Sequence, residues 1–333
     1  MLKVLGAQIK EFKKDSLMTP VFMILEVIME MIIPLLMASI IDDGVNAGNM
    51  NHIYKVGAYM VVAAVIGLWA GMMGAKYGAK ASTGFARNLR KAMFENIQTF
   101  SFSNIDKYST SSLITRLTTD VTNLQNAYQM LLRMAMRAPA SMIIAMIMAF
   151  SINAKLASTY LIAVIFLAAC IAMIIPRATK YFRQVFEKYD DLNASVQENV
   201  SAIRVVKAYV REDYEKEKFS RANRNIYNMF LRAEKLVVIN MPLMQFTVYA
   251  CILMISGLGA KMIVAGGLTT GEMMSLLTYC MNILMSLMMV SMIFVMLTMS
   301  YASAKRIAEV LQEKTDLTNP EKPVEEVGGK DIP

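Results

Sequence analysis

Long runs without a single charged residue alternate along this chain with stretches in which apolar residues recur every three or four positions between charges. Five runs, 56–75, 138–154, 156–176, 236–260 and 273–304, contain no Asp, Glu, Lys or Arg. Each reaches the roughly 17 to 25 residues that cross a bilayer as a helix. A sixth, 17–41 (LMTPVFMILEVIMEMIIPLLMASII), is interrupted only by Glu26 and Glu30. Inserting each carboxylate costs about 2.5–3.5 kcal/mol or less, which the surrounding apolar residues outweigh. The pattern therefore predicts six membrane-spanning helices, at about 17–41, 56–75, 134–152, 156–176, 236–260 and 273–300.

The segments between spans are unequal. Two long ones, 76–133 and 177–235, carry helical periodicity: Phe85, Leu89, Met93, Ile97 and Phe100 in the first, and Leu192, Val196, Val200, Ile203, Val206 and Val210 in the second. Each predicts an amphipathic helical hairpin, and an arm of about 25 residues projects on the order of 35 Å. Their tips show as breaks in helical character. In the first, Ser101, Ser103, Asn104 and Ser109 to Ser112 form a polar cluster suited to capping short helices on either side of a turn; in the second, VREDYEKEKF at 210–219 is charge-dense. A single such tip reads as a solvated turn, but two at matching positions in a plan that occurs twice read as contact points. At the start, residues 1–16 predict an amphipathic elbow helix lying along the membrane surface, with Leu2, Leu5, Ile9 and Phe12 opposite Lys3, Lys10, Lys13 and Lys14. After the last span, SAKRIAEVLQEK continues as a helix within 305–333, and TDLTNPEKPVEEVGGKDIP has the composition of a linker, so the chain is expected to stop within a connection.

Composition agrees with a membrane protein: 56% of the residues are hydrophobic and only 18% charged. The net charge of +8 matters through its placement. Of 34 Lys and Arg, 31 fall in 1–16, 76–137, 177–235 and 305–333, leaving Lys55, Lys155 and Lys261 for the other side. Positively charged loops face the cytoplasm, so both termini and both tips are expected there, and the basic excess needs no nucleic-acid partner. Cys170, Cys251 and Cys280 lie in apolar runs without paired spacing, and His52 is the sole histidine. Neither a metal cluster nor a nucleophile–base set can be assembled from them. The N-terminal segment also lacks the apolar core and cleavage site of a signal peptide.

Three groups of residues invite a functional reading beside a structural one. The 32 methionines include Met281, Met285, Met288 and Met292 in the last span; they serve as apolar filler or as an adaptable cavity wall. Arg133 and Arg137 stand one turn apart at the mouth of the third span, where they either snorkel to lipid phosphates or pair with Glu26 and Glu30. Glu26 and Glu30, four residues apart, share one helix face that must point at protein or water. Either they are neutralised structurally or they offer negative charge to lipophilic cations. Glu26, Glu30, Met281, Met285, Met288 and Met292 are the candidate substrate-pathway residues.

Three stretches, FSFSNIDKYSTSSLITRLTTDVTNLQ, QENVSAIRVVKAYVREDYEKEKF and YASAKRIAEVL, resemble the first and second intracellular loops and the sixth-helix exit of the transmembrane domain of type I ABC exporter half-transporters. SSLITRLTTDV, LLRMAMRAP and SAKRIAEVL are most similar to the bacterial heterodimeric multidrug branch. The resemblance implies an all-α integral membrane fold in the bacterial cytoplasmic (inner) membrane, with six transmembrane helices and two long cytoplasmic helical hairpins. It implies that spans four and five, with the second hairpin, reach across to a second half-transporter, in a heterodimer or a homodimer. It further implies coupling helices that dock into nucleotide-binding domains, at Tyr108, Ser109, Thr110, Ser111, Ser112 and Leu113, and at Val210, Arg211, Glu212, Asp213, Tyr214 and Phe219. The implied activity is ATP-driven export of amphiphilic or drug-like compounds, with lipid or peptide export and a non-transporting membrane scaffold as alternatives. One departure stands out: there is no GxxxxGK[ST] phosphate loop and no LSGGQ-like segment, and GGLTTGE lacks the lysine. Mg-ATP is thus expected on a nucleotide-binding domain supplied in cis or in trans, with no cofactor on this chain. A continuation of the chain is the favoured source.

Overall fold

The computed structural model describes residues 1–315, and the linker expected after Thr315 lies outside the described residues. Among these, all regular structure is helical: α1 (Leu2–Ala7), α2 (Lys13–Ser39), α3 (Met50–Ile97), α4 (Phe102–Tyr108), α5 (Thr110–Thr115), α6 (Val121–Ile152), α7 (Ala154–Ser201), α8 (Ile203–Ala208), α9 (Glu212–Val238), α10 (Asn240–Val264) and α11 (Thr270–Gln312). Six helical stretches are long and apolar enough to cross a membrane: Lys10–Val45, Met50–Ile97, Thr110–Ile152, Ala154–Phe182, Glu212–Val264 and Thr270–Gln312. Each expected span lies inside one of them. In two cases span and hairpin arm are one helix. The 48 residues of α3 and of α7 run from apolar span to charged arm without interruption, a length of about 72 Å at 1.5 Å per residue.

The chain divides into two compact units. The first comprises Met1–Ile33, Gly57–Ser141 and the chain from Met288. Its organising feature is a glycine face on α3. Gly67, Gly71, Gly74 and Gly78 recur at helical spacing, and side chains added there would meet Met29, Glu26, Met23 and Thr19 of α2. Small residues let two helices approach until backbone meets side chain, the packing that replaces the hydrophobic effect inside a membrane. Further along α3, Gly84 lies against the Phe12 ring. There a buried cluster of Leu5, Phe85, Leu89, Met93, Phe100, Tyr108, Leu113, Val121, Ile307 and Val310 gathers α1, α3, α4, α5, α6 and α11. The elbow is shorter than the pattern implied: α1 ends at Ala7, and Lys10 adopts φ +41° before a 3₁₀ turn at Lys10–Phe12 leads into α2. Leu5 and Ile9, four residues apart and so on one face, both pack on this cluster.

The second unit comprises Pro34–Val56 and Met142–Leu287. Here α7 and α9 form the long hairpin, with Phe182 and Phe230 edge to face at 5.9 Å, and α10 packs on α7. At the unit's other end a π-helical turn, Ile40–Val45, sets Asp42 against the start of α11. Asp42 accepts hydrogen bonds from Thr269 Oγ1 (2.5 Å), Thr270 Oγ1 (3.3 Å) and the Gly271 backbone N–H (3.0 Å). A carboxylate there satisfies an orphan donor in the first helical turn and complements its dipole. Ser275 donates to the Pro34 carbonyl at 2.6 Å and Tyr160 to that of Leu276 at 2.9 Å, so both polar groups are satisfied within the apolar core.

Candidate functional site

The first hairpin tip is built by local capping. The Asn104 side chain accepts from the Ser101 backbone N–H at 3.1 Å, fixing the start of α4. Ser109, at φ +50°, separates α4 from α5. Of the expected docking range, Tyr108 and Leu113 turn inward to the buried cluster, while Ser109, Thr110 and Ser111 face out and Ser112 is half-buried. Phe102 is also outward, 89% exposed.

This tip is fastened to the far end of α11. Glu313, just past the helix, accepts from Lys107 Nζ at 2.8 Å, Tyr108 Oη at 2.7 Å and Asn104 Nδ2 at 3.1 Å. The Lys107 and Tyr108 hydrogen bonds lower the Glu313 carboxyl pKa. Asn96 Nδ2 donates to the carbonyls of Val310 (2.7 Å) and Glu313 (3.0 Å), which a helix C-terminus leaves unpaired. One turn deeper, Arg116 donates to the Arg306 carbonyl (2.7 Å) and to Glu309 (3.1 Å), and its guanidinium lies 4.9 Å from the Tyr108 ring centroid. Asp120, 1% exposed, accepts from Ser303 Oγ at 2.8 Å and from both Nε (2.7 Å) and a terminal nitrogen of Arg306. Burial opposes its ionisation, but the hydrogen bonds from Arg306 and Ser303 outweigh burial and its pKa is lowered. Arg116 to Asp120 form a π-helical segment, a wider turn that is rare and recurs at functional sites.

None of Arg116, Asp120, Arg306, Glu309 or Glu313 was singled out from the sequence. The signal was present: SSLITRLTTDV and SAKRIAEVL each carry an acid and an arginine or lie beside one. Only the fold shows that these two motifs grip each other.

The second tip departs from expectation. The range Val210 to Phe219 was expected as a coupling helix. Instead the short helix is α8, Ile203–Ala208; Val210, at φ +53°, and Arg211 form a turn, and Glu212, Asp213, Tyr214 and Phe219 open α9. The apolar spacing runs through the break because Val196, Ile203, Val206 and Phe219 all line one groove inside the hairpin. Periodicity there reports a shared face rather than one continuous helix. Tyr209 and Val210, 74% and 80% exposed, point away. Lys207 donates to Glu212 at 3.0 Å across the turn.

In the first unit, a cleft of about 680 Å³ lies between α2, α6 and α11. Six methionines line it, Met292 among them, together with Asn126, Gln129, Arg133 and Arg137. Glu26 and Glu30 are not part of its wall. Both bind Arg137, at 2.5 and 2.8 Å, through the two ends of its fork. The geometry is that of the structural alternative for these carboxylates. Met281 and Met285 belong to the second unit and Met288 opens the last segment of the first, so the cleft brings together only Met292 of the expected pathway methionines.

A family model described as the ABC transporter transmembrane region matches residues 17–288, more than half of the chain. The chain belongs to the ABC transporter transmembrane family. Within this family it is similar to the uncharacterized ABC transporter ATP-binding protein YfiB of Bacillus subtilis (strain 168), 33% identical over 89% of this chain and 52% of that protein. It is similar also to the probable multidrug resistance ABC transporter ATP-binding/permease protein YheI of the same organism, 24% identical over 98% and 56%. An ATP-dependent lipid A-core flippase of Desulfotalea psychrophila (strain LSv54 / DSM 12343) is 28% identical over 69% and 40%. The chain spans about half the length of the curated relatives it matches. As a transmembrane region of the ABC type it is a multi-pass membrane protein.

Proposed function

We propose that this chain is the membrane half of an ATP-driven ABC exporter that moves amphiphilic or drug-like compounds out of the cytoplasm or inner leaflet by alternating access. Nucleotide-binding domains, joined in cis or supplied in trans, bind Mg-ATP and dock on the two tips; a second half-transporter, the same or different, completes the pathway. The observation that carries this reading is at the tips. Phe102 at the first tip and Tyr209 and Val210 at the second are large, apolar and exposed in polar, charged segments, and their recurrence at both tips supports a covered protein interface there. The clamp between the first tip and the exit of α11 supports a mechanical role: a force on the tip reaches α11 through ion pairs and a packed core, not through a flexible loop. The 31-to-3 distribution of Lys and Arg supports a bacterial cytoplasmic membrane location with termini and tips inside. The flippase relative favours a lipid as an alternative cargo.

Cysteines placed at Ser111 and Asp213 of the intact transporter test this. Both should resist an impermeant thiol reagent in whole cells, react after permeabilisation, and cross-link to a nucleotide-binding domain. Labelling of either in whole cells, or no cross-link from either, overturns it.

A further inference from the structure

The methionine cleft of the first unit carries an electrostatic asymmetry that identifies what it holds. Its charged lining is two arginines and no carboxylate. Arg137 is answered by Glu26 and Glu30. Arg133, one turn away on α6, has no ion pair or hydrogen bond among the described residues. Its stem runs over Gly78 of α3, where a Cβ would stand 3.3 Å from both Cγ and Cδ, so only glycine leaves the stem this room. A half-buried guanidinium with five N–H donors and no protein acceptor suits an anion, which its planar fork binds well. Beside it, Gln129 accepts from Ser82 through Oε1 at 3.3 Å, which leaves its amide nitrogen as a donor. The rest of the wall is thioether, which adapts to apolar groups of many shapes. At about 680 Å³ the cleft suits a molecule of drug or single-chain amphiphile size.

We propose that this cleft binds an amphiphilic anion, with a carboxylate, phosphate or sulfonate head on Arg133 and its apolar body on the methionines. This rests on the exporter reading insofar as it names the substrate class of that pathway. It reverses the preference for cations that Glu26 and Glu30 suggested, because both carboxylates are held on Arg137 and neither lines the cleft.

The test uses three fluorescent probes with one apolar body: 11-(dansylamino)undecanoic acid, its methyl ester, and the matching trimethylammonium compound. Binding is measured to the intact transporter in phosphatidylcholine nanodiscs. The carboxylate should bind about tenfold or more tighter than the other two, as expected for one charge-assisted hydrogen-bonded pair. Arg133→Gln should abolish that preference by weakening the carboxylate about tenfold relative to the ester, while Arg133→Lys keeps most of it. If Arg133→Gln fails to fold, the comparison of the three heads on the unaltered protein decides. Phosphatidylglycerol added to the nanodiscs separates two sources of the anion: displacement of the probe identifies a bilayer lipid, and no displacement a soluble amphiphile. Both outcomes support an anion on Arg133. Equal affinity for all three heads, preference for the cation, or carboxylate binding indifferent to Arg133→Gln overturns the proposal. ATP-driven transport of ester or cation without carboxylate binding overturns this site and leaves the exporter reading standing; carboxylate binding without ATP-driven transport of any probe does the reverse.

Discussion

Replacing Asp120 by Asn removes a charge that is 1% exposed and holds Arg306 by two nitrogens and Ser303 by its hydroxyl. Breaking a fully buried ion pair on one side costs about 3–5 kcal/mol. Arg306 is 44% exposed, so its guanidinium regains water and the expected loss falls to about 2–3 kcal/mol. That corresponds to a melting temperature lower by about 3–4 °C, read by tryptophan-independent thermal unfolding in detergent. Arg306→Gln should cost less, and the double variant should lose at least about 1 kcal/mol less than the sum of the two, because both remove one interaction. Acid titration supplies a second readout. The Asp120 pKa is lowered in the fold, so its contribution is fully present above the unfolded value near 3.9 and is lost as pH falls through the folded value. The unaltered protein should therefore lose stability more steeply than Asp120→Asn below about pH 4; Glu313, also lowered, titrates in both and leaves the difference to Asp120. Additive effects in the double variant, or identical acid limbs, would refute the clamp.

Other substitutions probe the packing that positions the sites. Gly84→Leu drives a side chain into the Phe12 ring and should destabilise by about 1–3 kcal/mol in the same unfolding assay, with Gly57→Leu, where no atom lies within 4 Å, as the tolerated control. Asp42→Ala removes the acceptor for Thr269, Thr270 and the Gly271 N–H; the loss should be about 0.5–2 kcal/mol, as for a helix cap, and Asp42→Asn should recover part of it. Changing Glu26 and Glu30 together to Gln strands Arg137, so folded yield and melting temperature should drop while the ratio of cationic to neutral dye transport stays constant; a selective loss of the cation would return the carboxylates to the pathway.

The fold was legible in the sequence where one physical cause dominates. Charge-free runs mark the spans because each charge at the bilayer centre costs kcal/mol, and the apolar stripe from Phe85 to Phe100 marks one buried face. The pairing of Glu26 and Glu30 with Arg137 was open to the sequence as one of two readings. What stayed hidden depended on distance along the chain. Asp120 and Arg306 are 186 residues apart, and nothing local distinguishes them from solvated charges. Likewise the spacing from Leu192 to Val210 could not reveal breaks at Ala202 and Tyr209, since Val196 of α7, Ile203 and Val206 of α8 and Phe219 of α9 line one groove across both. The glycine series at Gly67, Gly71, Gly74 and Gly78 was readable as a small-residue helix face, and its meaning became clear only with α2 packed on it.

On the proposed function, the tips receive work from nucleotide-binding domains and convert it into transport. The most direct measurement is ATP-driven uptake of a dansyl amphiphile into inside-out proteoliposomes, counted per ATP hydrolysed, for the intact transporter and for a variant carrying Phe102→Ser and Val210→Ser. A coupling free energy of about 1–3 kcal/mol corresponds to a 5- to 150-fold effect, so uptake per ATP should fall by at least about fivefold while nucleotide binding is retained. Unchanged uptake per ATP in the double variant would contradict the account.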